Sequence, residues 1–143
     1  MKAREQEYTD YLNSLFLTYF QPHEFTDYAY YIRKGVENSI PPKALFKNIE
    51  ETIRLIDNHI RPLFGPTVML STYRNVNYNK AVGGAVSSMH LKNNAIDFVC
   101  AKGTPQDWYN ELLRIRRLGD FKGGVGLYNT FVHVDTRGYN ANW

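Results

Sequence analysis

The chain has 143 residues, 43% of them hydrophobic and 22% charged, which is enough for one ordinary globular core and too little for two sizeable ones. Residues 1–143 are therefore expected to form a single domain. The net charge is +3 and the lysines and arginines are scattered, so the basic footprint of a nucleic-acid-binding protein is missing. Cys100 is the only cysteine, which excludes an internal disulfide and a cysteine metal site, fits a reducing compartment, and reads as a small buried apolar residue.

In chain order, residues 5–20 place Tyr8, Tyr11, Leu12, Leu15, Phe16 and Tyr19 at spacings of three and four, the period of an amphipathic helix facing a core. Glu5, Glu7, Asp10 and Asn13 interrupt any continuous apolar run, so this segment does not read as a signal peptide. No stretch reaches the roughly 20 apolar residues that span a bilayer, and a soluble chain without membrane insertion is expected. From Gln21 to Pro42 the pattern is irregular, broken by Pro22, Gly35 and Pro41-Pro42, and reads as an ordered wrap around one short helix. Leu45, Ile49, Ile53, Ile56 and Ile60 then recur at helical spacing between Pro42 and Leu63, with Pro62 and Gly65 near the end.

Beyond Gly65 the texture changes. Thr67–Thr72 alternates as a strand, Tyr73–Ala85 is a polar, Gly-containing connection, and Ala95–Ala101 is a second strand bounded by Asn93-Asn94 and Gly103. Thr104, with Asp107 in the capping-box position, starts a helix that carries Trp108, Leu112, Leu113 and Ile115 and ends near Gly119. Gly124–Tyr128 and Phe131–Asp135 are two final strands. Helices first, then strands with one inserted helix, predict an α+β fold with a small, largely antiparallel sheet.

The polar residues that stand out lie in the β-rich half. His90 precedes a strand, Asp97 sits inside it, and His133 lies in another. Two imidazoles and a carboxylate can hold Zn²⁺ with the fourth position open to water, the arrangement of a catalytic site. Zinc lowers the pKa of such a water to about 7 and polarises a carbonyl. On residue type alone a second reading stays open, in which these histidines are satisfied on the surface or in the core.

The segments Ser71-Thr72-Tyr73-Arg74, Asn79, Gly83-Gly84, Ser88-Met89-His90, Ala95-Ile96-Asp97-Phe98, Gly123–Tyr128 and Phe131–Asp135 occur in an order that resembles the M15 family of zinc D,D-peptidases and L-alanyl-D-glutamate endopeptidases. The closing Arg137-Gly138 and Trp143 resemble its small single-domain branch. The resemblance implies a hedgehog/D,D-peptidase-like fold and hydrolysis of a peptide bond in the peptidoglycan stem. It matches His90, Asp97 and His133 to the zinc ligands, Arg74 to an arginine facing the scissile carbonyl, and Ser88 to a serine that holds the bound peptide. With no signal peptide the chain resembles phage-encoded members of the endolysin type, made in the bacterial cytoplasm and acting on the wall after release or within a virion. A monomer is expected.

Two positions depart from the family pattern. Asn93 stands where glycine is usual, three residues after His90, and asparagine tolerates the left-handed backbone such a turn needs. Thr130 stands where many relatives have a carboxylate three residues before the last ligand. If Phe131–Asp135 is a strand, His133 and Asp135 share a face. Asp135 then has three open roles: general base, hydrogen-bond partner of a ligand imidazole, or ion-pair partner of Arg137. Asp120 is a weaker rival base. His23 and His59 read as structural. The alternative to an enzyme is a wall-binding or virion structural module that keeps the fold and zinc without turnover, supported by Thr130.

Overall fold

A computed structural model describes residues 2–143. Helix α1 (Ala3–Ser14) buries Tyr8 and Leu12, as its spacing predicts, but stops well short of residue 20. Phe16 turns into the left-handed region (φ 49°) and is exposed. The amides of Thr18 and Tyr19 then donate to the two carboxylate oxygens of Asp57, each at 2.9 Å. A tertiary partner thus takes the amides that a longer helix would have used.

The wrap that follows contains α2 (His23–Thr26), a 3₁₀ turn over Asp27–Tyr30, and a hairpin of β1 (Ile32–Arg33) and β2 (Val36–Glu37) that the irregular pattern did not reveal. Lys34 and Gly35 close the hairpin, both with positive φ, as a tight two-residue turn requires. The single helix expected from Pro42 is instead a 3₁₀ turn (Lys43–Leu45) and then a continuous helical run made of α3 (Asn48–Leu55), a π turn (Ile56–Ile60) and α4 (Arg61–Phe64). Pro62 explains the widening. It has no amide hydrogen and its ring crowds the carbonyl four residues earlier; in the π turn the Arg61 amide reaches back to the Ile56 carbonyl and makes room.

Strands β3 (Thr67–Ser71), β4 (Ala95–Cys100), β5 (Gly124–Leu127), β6 (Val132–Asp135) and β7 (Ala141–Asn142) form one sheet in the order β3-β4-β6-β5-β7. All neighbours are antiparallel except β7, which runs parallel to β5. The first four match the expected strands to within a residue, whereas β7 was not foreseen. The segment Tyr73–Ala85 is more than a connection, since it contains α5 (Val76–Ala81), capped by the Asn75 side chain accepting from the Tyr78 amide. Helix α6 (Pro105–Arg117) carries the predicted Thr104/Asp107 capping box. Cys100 is only half-buried, with its sulfur 3.4 Å from the Thr67 hydroxyl.

One face of the sheet presents Ile96, Phe98, Val125, Val132 and Val134 to a core completed by Ile49, Ile53, Trp108, Leu112 and Ile115. The register pairs Asp97 with His133, and His133 with Gly126, so these positions lie in one row across the opposite face. Ser71, paired with Asp97, joins that row through a β-bulge between Met69 and Ser71. Regular alternation would have sent Ser71 inward with Met69; the extra residue re-aims it.

Candidate metal centre

Three elements deliver the expected ligand set. Asp97 comes from the middle of β4, His133 from the middle of β6, and His90 from the 3₁₀ turn Met89–Lys92 just before β4. That turn ends on Asn93 in the left-handed region (φ 58°), where glycine would otherwise be favoured. The Asn93 side chain also donates from Nδ2 to the Leu45 carbonyl at 3.0 Å, tying the loop to the helical layer. One donor atom from each of His90, Asp97 and His133 lies within 4.8 Å of the others, and all three residues are buried.

The hydrogen bonds behind the two imidazoles fix which nitrogen faces inward. His90 Nδ1 lies 2.7 Å from the Thr72 carbonyl, which can only accept, so Nδ1 carries the hydrogen and Nε2 offers a lone pair. His133 Nε2 lies 2.7 Å from Asp135 Oδ2, so its hydrogen points there and Nδ1 offers a lone pair. Those two nitrogens sit 3.2 Å and 2.9 Å from the same oxygen, Asp97 Oδ1. With both tautomers set from behind, three electron pairs converge in a buried space. Neutral imidazoles and a carboxylate are borderline and hard donors that suit zinc and similar divalent ions, and the residues present fit such an ion.

The electrostatics follow from the same contacts. Burial disfavours the imidazolium of His90 and lowers its pKa. Burial acts the same way on His133, but the flanking carboxylates of Asp135 and Asp97 outweigh it and the pKa rises. Burial would raise the carboxyl of Asp97; the adjoining imidazoles of His133 and His90, which donate to it when they are protonated, reverse that and hold it well below the usual carboxylate range.

Arg74 stands beside this group. Its Nη2 is 3.5 Å from Asp97 Oδ2, its Nε donates to Ser71 Oγ at 3.1 Å, and its Nη1 donates to Asn79 Oδ1 at 3.2 Å. Gly84 permits this clamp, because a Cβ there would fall 2.0 Å from Asn79 Oδ1. The Arg74 backbone amide donates to the His90 carbonyl at 3.1 Å, so the arginine loop and the His90 loop clasp each other.

Residues 18–135 match the sequence model of the family described as Peptidase M15. The chain belongs to the M15 peptidases. No curated protein and no solved structure gives a match.

The peptidase presents this candidate metal-ligand group in the wall of a cleft of about 460 Å³, lined among others by Arg74, Gly84, Ser88, Tyr128, Arg137 and Trp143. Ser88 Oγ accepts from the His90 amide at 3.2 Å and so caps the ligand-bearing turn. Asp135 is fully buried behind His133. Its Oδ1 accepts from the Gly124 amide and from Arg137 Nε, both at 2.9 Å, and its Oδ2 accepts from His133 Nε2 and Arg137 Nη2, both at 2.7 Å. Burial alone would raise this carboxyl, but Arg137, His133 and the Gly124 amide hold it well below the usual range. Asp120 does not line the cleft and pairs with His59 at 3.8 Å, while His23 pairs with Asp27 on the surface.

Sequence reasoning assigned no role to Ser71, Asn79 or Trp143. Trp143 packs its ring 5.1 Å from that of His133 and donates from Nε1 to the Tyr128 hydroxyl at 2.9 Å. Gly126 inside β5 was the available signal, because glycine within a strand marks a close approach; a Cβ there would lie 2.5 Å from Trp143 Nε1.

Proposed function

We propose that the chain is a zinc-dependent peptidase that hydrolyses a peptide bond of the peptidoglycan stem. The observation that carries this reading is the convergence of His90 Nε2, His133 Nδ1 and Asp97 Oδ1, each with a free electron pair, at the wall of an open cleft. When bound there, Zn²⁺ supplies a polarising charge for the scissile carbonyl and brings the pKa of a coordinated water to about 7.

The chain's own groups supply the rest. Arg74, held by Ser71 and Asn79, presents fixed donors where negative charge develops on the carbonyl oxygen. Asp135 keeps the Nε2 hydrogen of His133 in place and so keeps Nδ1 turned inward. The oxygens of Asp135 are taken up by His133, Arg137 and the Gly124 amide, which favours an orienting role over that of a base. The metal position and Arg74 then act on a small peptide in a short groove, for which ordinary folded proteins are poor substrates. The stem-peptide substrate, the hedgehog/D,D-peptidase-like fold over one domain of 1–143, and a phage-encoded, wall-acting monomer rest on the same family resemblance.

One observation favours a second reading. Among the described residues Asp97 is the only Asp or Glu lining the cleft, and it belongs to the candidate metal set. A wall-binding or virion module that keeps the metal without turnover would look the same in this respect. Incubating the zinc-loaded protein with purified peptidoglycan separates the two: new free amino groups that disappear with His133→Ala are expected of the enzyme. Their absence with zinc bound sinks it.

A further inference from the structure

The cleft does not stop at the metal group. A second hollow of about 400 Å³ adjoins it, and Arg74, Val82, Asp97 and Phe131 line both. The two hollows therefore meet at Arg74 and Asp97 and make two arms that adjoin beside the metal position, whose imidazoles line the first arm. Their walls differ. The first arm is lined by the backbone-rich stretch from Gly83 to Met89 and by Tyr128, Arg137 and Trp143. The second is lined by Tyr28, Tyr31, Tyr78 and Leu70, with Arg33 at its rim.

The aromatic rings of this second arm pack on one another. Tyr31 packs edge-on against Tyr28 with ring centres 4.8 Å apart, and Tyr28 packs against Tyr78 at 5.9 Å. The Tyr28 hydroxyl is fixed 2.9 Å from Ser71 Oγ, the same atom that receives Arg74 Nε. Tyr31 and Leu70 nevertheless keep much of their apolar surface exposed. Arg33 presents a planar guanidinium that suits a carboxylate, and no ion pair among the described residues engages it. Among the described residues the only acid lining this arm is Asp97, which is turned to the imidazoles. An apolar floor with one free cation at its edge suits a peptide segment that carries a carboxylate.

We propose that the second arm is a peptide subsite in which Arg33 receives a carboxylate of the substrate, so that the chain spans both arms and the cleaved bond is internal. This rests on the peptidase reading above and narrows it to an endopeptidase acting on acidic peptides. Arg33 is a specificity residue, remote from the reacting atoms.

The test uses the full, zinc-loaded chain and one stem-type peptide, blocked at both ends, in two forms: carboxylates free and carboxylates amidated. The doubly blocked acidic form is expected to be cleaved, with kcat/KM roughly tenfold above the amidated form, the worth of one charged hydrogen bond. Arg33→Gln should erase that ratio by lowering the rate on the acidic peptide toward that on the amidated one, and Arg33→Lys should restore part of it. Equal rates for the two forms, a ratio that survives Arg33→Gln, or cleavage only when a terminal carboxylate is free would overturn the proposal. Calorimetric binding of the same two peptides reports on the arm without turnover. Arg33-dependent preference in binding with no hydrolysis would sink the enzyme reading and keep the subsite; no preference in binding would sink the subsite alone.

Discussion

The two faces of the β4–β6 strand pair are built from alternate residues of the same strands and serve opposite ends. Ile96, Phe98, Val132 and Val134 point into the helical layer and are completely buried among apolar neighbours. Asp97, His133 and Asp135 point the other way, also buried but held by polar contacts. Because side chains alternate with period two, a slip of one residue would exchange the faces. The apolar face therefore fixes the register, and the register places Asp97 opposite His133.

If that division holds, damage to one face should leave the other's property intact. Phe98→Ala removes a fully buried ring from the apolar face and is expected to lower unfolding free energy by about 3–5 kcal/mol. Zinc affinity of the molecules that remain folded should change little. Chemical denaturation alongside metal titration checks both, and a parallel collapse of affinity would show that the faces cannot be separated. Arg74→Ala works from the other side: kcat should drop roughly 10²- to 10³-fold, as when one fixed donor to a developing oxyanion is lost. The denaturation midpoint and bound zinc should stay close to those of the parent. Retained turnover would remove Arg74 from the reaction.

What was legible in the sequence follows the range of each signal. The Thr104/Asp107 capping box and the apolar runs of β3, β4 and β6 are local, and they lie where the pattern put them. Asp97 and His133 stood out because each interrupts an apolar strand. The end of α1 could not be read, because the partner that takes the Thr18 and Tyr19 amides is Asp57, some forty residues away. The hairpin β1–β2 and strand β7 have two residues per strand, too short for any periodicity to register. Ser71 was hidden by the bulge, since period-two reasoning sends it to the core with Met69. Helix α5 was masked by its polar sequence, and with it the means by which Asn79 returns to Arg74.

The sharpest contrast within the candidate metal group is between its two imidazoles. His90 leans on a backbone carbonyl, which no substitution removes, while His133 leans on a side chain. Asp135→Asn should therefore weaken zinc binding by about 10- to 100-fold, because the amide no longer holds the Nε2 hydrogen reliably. Loss of turnover by several orders of magnitude with zinc affinity unchanged would instead make Asp135 the base.

Ser88→Ala is the smallest change. The hydroxyl caps the His90 turn, and its removal should lower stability by about 1 kcal/mol. Michaelis kinetics on a stem peptide then tell whether the same oxygen also grips substrate. An unchanged KM confines Ser88 to the loop, and a severalfold rise gives it a second role, because the cap alone acts on folding and not on the peptide. Either result also bears on the polar face as a whole. A ligand turn that loosens without loss of zinc would mean that Thr72 and Arg74, clasped to His90 through the backbone, carry the geometry by themselves.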